Sequence, residues 1–165
     1  MISEKMAKAI NEQINAELYS AYLYLSMASY FDDKGLSGFA HWMKLQAQEE
    51  VEHGMKFYTY LYDRGAKVTL KAIEAPSTNW DSPLAVFKNI YEHECKVTGL
   101  IDNLYRIAKE EKDSPTEIFL HWYINEQIEE EASASEIVSK LEMIGDKTQL
   151  LLMLDKELAQ RGTQN

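Results

Sequence analysis

The sequence predicts an all-α fold: a four-helix bundle with a long crossover between helices two and three, and a short fifth helix at the C-terminus. Three observations lead to it. The 165 residues include only 7 Gly and 3 Pro, so little interrupts long helices. Four long segments carry stripes whose members recur at spacings of four and three, the period of packed helices. Between the second and third of them, Ala66 to Asp81 is sixteen residues of irregular sequence, too long for a turn.

The elements follow in order. Helices are expected at about 4–33, 38–64, 83–112, 115–144 and 147–160, in one domain of residues 1–165. Ser3 caps the first, which runs until Gly35. Ser37 caps the second, and Gly65 ends it as the residue just past a helix does. Ser82-Pro83 and Ser114-Pro115 each read as an N-cap followed by proline at the first helical position. Gly145 closes the fourth helix, and Asp146 with Gln149 forms a weak capping box for the fifth. Short joints around Gly35 and Asp113 make helices one and two antiparallel, and likewise three and four. A helix of about 28 residues is about 42 Å long, and sixteen extended residues reach about 53 Å. The crossover can therefore run back along the whole bundle, leaving helices two and three parallel.

Composition narrows the function. Hydrophobic residues are 45% and charged residues 27%, ordinary for a globular protein. A formal charge of −10 disfavours nucleic acid and favours cations. Cys95 stands alone, which excludes an intrachain disulfide and any cysteine-based zinc or iron–sulfur site. No signal peptide is expected, because Met1-Ile2-Ser3-Glu4-Lys5 leads into polar sequence. The longest strongly apolar run, Leu150 to Leu154, is too short to span a membrane, so a cytoplasmic protein is expected.

The inner stripes are unusual in their middles. Helix one gives Ile10, Ile14, Glu17, Ala21, Tyr24, Ala28 and Phe31; helix two gives Phe39, Met43, Gln46, Glu50, His53, Phe57 and Tyr60. Helix three gives Phe87, Tyr91, Glu94, Thr98, Ile101, Tyr105 and Ala108; helix four gives Leu120, Tyr123, Gln127, Glu130, Ala134, Ile137 and Leu141. Each stripe is apolar at its ends and polar at its centre. The halves also repeat: Glu17 precedes Glu50 by 33 residues and His53 by 36, and Glu94 precedes Gln127 by 33 and Glu130 by 36. A pseudo-two-fold pairing of the helix pairs would bring all six to one point. Buried carboxylates repel one another and lose hydration, so something positive should sit among them. Oxygen donors plus one imidazole suit a pair of first-row cations such as iron or manganese. The competing reading is a structural polar layer satisfied by tyrosines and water.

The segments Asn11-Glu12-Gln13-Ile14-Asn15-Ala16-Glu17-Leu18-Tyr19-Ser20, Ala47-Gln48-Glu49-Glu50-Val51-Glu52-His53 and His121-Trp122-Tyr123-Ile124-Asn125-Glu126-Gln127 resemble bacterial non-haem ferritins. The likeness covers nearly the whole chain, including Leu154-Asp155-Lys156-Glu157-Leu158. It implies a ferritin-like bundle that oxidises Fe²⁺ with O₂ or peroxide and stores Fe³⁺ as a mineral in a homo-oligomeric, 24-subunit shell. It further implies one iron on Glu17, Glu50 and His53, and a second on Glu50 as a bridge with Glu94 and Glu130. Gln127 would lie close by, replacing the carboxylate or histidine of relatives. A third iron position is implied at Glu49, Glu126, Glu129 and Glu130. Tyr24 matches the tyrosine that accompanies the centre; its plainer role is a core tyrosine bonded to one carboxylate.

No haem is expected. Bacterioferritins keep a second Glu-x-x-His and a haem-binding Met, where this chain has Glu130 and Val51. Cys95 is expected to face away from the seam, and His41, His93 and His121 to be surface residues. Two other classes remain open at this point: a di-iron oxidoreductase acting on an organic substrate or peroxide, and a metal-free helical scaffold.

Overall fold

Residues 1–163 are described in the computed structural model, and they form five helices: α1 (Glu4–Asp33), α2 (Ser37–Asp63), α3 (Pro83–Glu111), α4 (Ser114–Ile144) and α5 (Thr148–Leu158). The Ser3 hydroxyl accepts from Met6 N and the Ser82 hydroxyl from Ala85 N, so both caps form as the sequence predicts. Gly35 and Gly65 follow the ends of α1 and α2 with φ of 73° and 75°, a left-handed backbone that glycine adopts without strain.

Three other helix starts differ from expectation. Ser37 is already helical, and Leu36, which precedes it, offers no cap. The cap of α2 comes from far along the chain: Asp155 Oδ1 accepts from Gly38 N at 2.8 Å and Phe39 N at 3.0 Å. A carboxylate there meets both the free N–H groups and the positive end of the helix dipole. Asp113, not Ser114, caps α4, accepting from Thr116 N at 3.3 Å. The Arg64 guanidinium, 3.0 Å away, anchors that carboxylate. The Asp146–Gln149 box does not form, and α5 begins at Thr148 without a side-chain cap.

One seam is also corrected. Tyr91 is 39% exposed and Ile90, at 1%, holds the inner position. Tyr105 is only half-buried, and Leu104 packs inside instead. Tyr60 on the second seam is likewise half-buried. The inward line of α3 takes its three-residue step earlier than the stripe assumed, and apolar neighbours at 90/91 and 104/105 made the two phases indistinguishable by composition.

The main pairings are α1 with α2 and α3 with α4, while α5 packs across α2 and touches α4. Residues 66–80 have no regular secondary structure and climb along α1. Asn11 accepts from Thr69 N at 2.7 Å and donates to Lys67 O at 3.1 Å; Asn15 donates to Ala72 O at 3.1 Å; Ser26 donates to Ser77 O at 2.6 Å. At the top, Trp80 packs edge-on against Tyr30. The contacts advance in step along both segments, so the crossover returns the chain to the far end and α2 and α3 run parallel.

The hydrophobic core is split. One half gathers Tyr24, Phe31, Phe39, Trp42, Phe87 and Leu154 with their neighbours. The other gathers Ile10, Phe57, Ile101, Leu120 and Tyr123 with theirs. The polar centres of the four seams lie between.

Gly38 holds α5 close. A Cβ built there would stand 1.7 Å from the backbone oxygen of Asp155, so Gly38→Ala must push α5 away and break the cap. Hydrogen exchange should quicken across α5, with a stability loss of about 1–3 kcal/mol, while α1 to α4 keep their helicity. Unchanged protection of α5 would show that its docking does not depend on this contact.

Candidate metal centre

Glu17 of α1, Glu50 and His53 of α2, Glu94 of α3, and Gln127 and Glu130 of α4 all lie in the layer between the two core halves. None is more than 6% exposed. Burial so deep requires that each oxygen find a donor, and the donors are mostly neutral. Gln13 Nε2 donates to Glu17 at 2.8 Å, Gln46 Nε2 to Glu130 at 2.7 Å, and Gln127 Nε2 to Glu94 at 3.2 Å. The Tyr24 hydroxyl donates to the other Glu94 oxygen at 2.5 Å. His53 Nδ1 stands 3.2 Å from Glu50, and its Nε2 stands 3.9 Å from Glu126. Tyr123 lies below, its hydroxyl donating to His53 O at 2.6 Å and its ring stacked on Phe57. Among the described residues no buried side-chain nitrogen or oxygen lacks a partner, and no lysine or arginine pairs with the four carboxylates.

Satisfied hydrogen bonds do not remove the charge problem. Burial raises the Glu17 carboxyl well above the usual carboxylate range, and neighbouring Glu50 adds to it. Burial, then Glu94 and Glu130, do the same to Glu50. Burial also raises Glu94, and burial with Glu94 pushes Glu130 up to about 7. The Tyr24 phenol rises further, through burial and the Glu94 charge, and so stays a donor. Without cations the layer therefore holds protons. Cations replacing those protons would relieve both the desolvation and the mutual repulsion.

Two groups of ligand atoms lie within 4.8 Å of one another: Glu17, Glu50 and His53, and His53, Glu126 and Glu130. The first brings together the residues of the expected first iron. The second draws in Glu126, a residue expected at a third iron position. Glu94 stands outside both groups, with its oxygens taken by Tyr24 and Gln127. Glu49 is paired with Arg161 at 2.8 Å, and Glu129 is exposed. Oxygen donors around a single imidazole form a hard set that fits Fe²⁺.

Several participants carry little sequence signal. Gln13 sits four residues before Glu17, the spacing at which helical side chains meet, while Gln46 stands on the second inner stripe but finds its partner, Glu130, on another helix. Arg161 lies beyond α5 and offered none. Of the histidines read as surface residues, only His121 is exposed. His93 is half-buried, bonded to Ser20 at 2.7 Å, and burial with nearby Lys96 lowers it to about 4. His41 is half-buried against Arg161 O. Cys95 is exposed and free.

A model of the ferritin-like domain matches residues 7–144. The chain is 47% identical over 161 residues to a bacterial non-haem ferritin of Bacteroides fragilis, covering 98% of this chain and 100% of that protein. A bacterial non-haem ferritin of Staphylococcus aureus is 40% identical, over 98% and 97% of the two chains. Among solved structures, an open-pore ferritin from the archaeon Archaeoglobus fulgidus superposes with a TM-score of 0.97 at 57% identity, over 98% and 99% of the two chains. A closed form of that protein, engineered by site-directed mutagenesis, superposes equally well.

The raised carboxyls make a signed prediction. A carboxylate whose folded pKa exceeds its unfolded value favours the fold most at low pH, and that contribution falls as pH rises. For Glu130 the window runs from 4.5 to about 7 and somewhat beyond. Between pH 6 and 8 this group alone should cost the metal-free protein about 1 kcal/mol. Calorimetry of metal-free protein should give a midpoint that falls over this range, less steeply in Glu130→Gln. Bound Zn²⁺ should reverse the trend, because it replaces the protons. A midpoint that rises with pH without metal would contradict the account.

Proposed function

The chain belongs to the ferritin family of iron-storage proteins, and from that premise we propose that it oxidises Fe²⁺ at a dinuclear centre within each subunit. Fe³⁺ is then stored as a mineral inside a 24-subunit shell. The observation that carries this reading is the layer of four buried carboxylates with neutral donors around them. Its charge balance calls for cations.

Glu17 and His53 hold one Fe²⁺, Glu94 and Glu130 the other, and Glu50 bridges them. Each Fe²⁺ gives up one electron, and the pair, with two protons from solvent, reduces O₂ to hydrogen peroxide or hydrogen peroxide to two waters. The bundle fixes the two ions side by side, so the two-electron step needs no chance encounter. The ion on Glu94 takes an oxygen now held by Gln127, while Tyr24 keeps its hydrogen bond to the other. Gln127, being neutral, tunes spacing and hydration more than charge. Glu130 is buried, Glu126 half-buried and Glu129 exposed, a graded line of carboxylates on α4 leading outward from the centre. Glu49, Glu126, Glu129 and Glu130 together supply the third iron position.

An oxidoreductase acting on an organic substrate would need room beside the metals. The rings of Tyr24, Trp42, Phe57 and Tyr123 are buried, and the opening that reaches Gln127 holds only about 130 Å³. Iron loading separates the two activities: about two ions per subunit for an enzyme alone, very many for a store.

Assembly is supported by apolar surface that the single chain leaves bare. Tyr22, Leu25, Val51 and Met55 on α1 and α2, and Leu152 and Met153 on α5, are all 43% exposed or more. Second copies of the chain would cover them.

Glu50→Ala removes a ligand from both ions and should slow the initial oxidation rate at least about 100-fold, with helicity retained. Gln127→Ala should lose about tenfold or less. Stopped-flow absorbance of the Fe³⁺ product reads both, and an unaltered rate in Glu50→Ala would overturn the centre.

Truncation after Gly145 removes α5 with its bare apolar face. The bundle should remain folded, but the particle should shrink or become heterogeneous by light scattering. A full-size particle would show that α5 only caps its own subunit.

A further inference from the structure

Arg161 lies in the turn after α5, yet its guanidinium reaches the side of the metal centre. Its Nη2 donates to Glu49 Oε2 at 2.8 Å and to Gln46 Oε1 at 2.5 Å, and its Nη1 donates to Trp42 O at 3.3 Å. The guanidinium carbon sits 4.6 Å from the centroid of the Trp42 ring. The backbone oxygen of Arg161 accepts from His41 Nε2 at 2.8 Å, which fixes the protonated nitrogen of that ring. Five groups of the first half of α2 thus hold one residue of the C-terminal segment.

Two consequences follow. A guanidinium only donates, so Gln46 must turn its oxygen to Arg161 and its N–H₂ to Glu130. Arg161 is therefore a positioning residue for Glu130, acting through Gln46. It also places a permanent positive charge against Glu49 Oε2, so a metal ion approaching that carboxylate meets a like charge and finds one oxygen taken while the pair holds.

We propose that Arg161 is the resident counter-cation of the outer iron position, a tethered guanidinium with which a third metal ion competes for Glu49 and which it displaces to gain both carboxylate oxygens. The proposal rests on the dinuclear reading above, with Glu49 as part of an outer position. The pair is suited to exchange. Its side chains are 24% and 42% exposed, so water screens it and a divalent ion can compete. Displacement frees Gln46 as well, so occupation of the outer position loosens the hold on Glu130. The third ion and the inner pair are coupled through this one side chain.

The test is calorimetric titration of assembled, iron-free protein with Zn²⁺ at fixed ionic strength. Wild type should bind two ions tightly per subunit and a third weakly. Arg161→Gln should bind the third at least about tenfold more tightly, the scale of one contact charge removed. The gain should vanish in Arg161→Gln/Glu49→Gln. Glu49→Gln alone, which leaves Arg161 in place but removes the carboxylate, should lose the third ion. Particle mass and circular dichroism should match wild type in all four proteins. A third-ion affinity equal in wild type and Arg161→Gln would overturn the proposal while leaving the dinuclear centre standing. An equal gain in Arg161→Gln and in the double variant would overturn it too, since Glu49 would not be the ligand released. Failure of wild type to bind the first two ions would instead remove the dinuclear reading itself.

Discussion

Four carboxyl groups confined to one buried layer, one from each long helix, set the terms for the rest of this molecule. Each would be costly alone, and together they repel. The fold answers with geometry on both sides of the layer. Each half of the core is rich in rings: Phe31 and Phe39 stack at 4.8 Å in one, and Phe57 and Tyr123 at 4.0 Å in the other. These two apolar blocks hold the helices in register while the layer keeps protons that cations can replace. Glutamine amides and a phenol satisfy the hydrogen bonds without cancelling the charge. A lysine or arginine in the same places would neutralise the carboxylates and forfeit the capacity for cations.

The repeat of 33 and 36 residues is real in sequence but only approximate in chemistry. In the first half, His53 stands between Glu50 and Glu126 and can serve either group of ligands. In the second, Glu130 occupies the matching position, and Gln127 bonds both the backbone oxygen and the carboxylate of Glu94 at 3.2 Å. The two metal positions are thus unequal by construction. One offers an imidazole and a bridging carboxylate; the other offers carboxylates restrained by an amide and a tyrosine.

Much of this was legible in the sequence because the signals are local. Ser3 and Ser82 cap their own helices, and the stripes through Glu17, Glu50, Glu94 and Glu130 follow from helical period alone. What escaped is what depends on distant partners. Asp155 caps a helix that starts 118 residues earlier at Ser37. Arg64 makes Asp113 the better cap than Ser114, and Arg161 reaches Glu49 from outside every helix. Tyr91 was misplaced for a different reason: it and Ile90 are both plausible inner residues, and only the packing of α3 chooses between them.

The ladder between α1 and the crossover turns an irregular segment into a gauge of length. Asn11, Asn15 and Ser26 meet it at Lys67 to Thr69, Ala72 and Ser77. A helix advances about 1.5 Å per residue and an extended chain about 3.3 Å, so one added turn of α1 would need only about one and a half residues of crossover. No whole number of residues keeps both in phase at that step. The inner stripes add their own quantum, since about seven residues is the smallest insertion that returns a side chain to nearly the same face. Bundle height in this architecture is therefore discrete: helices and crossover must lengthen together by two turns, or the anchoring asparagines fall between rungs.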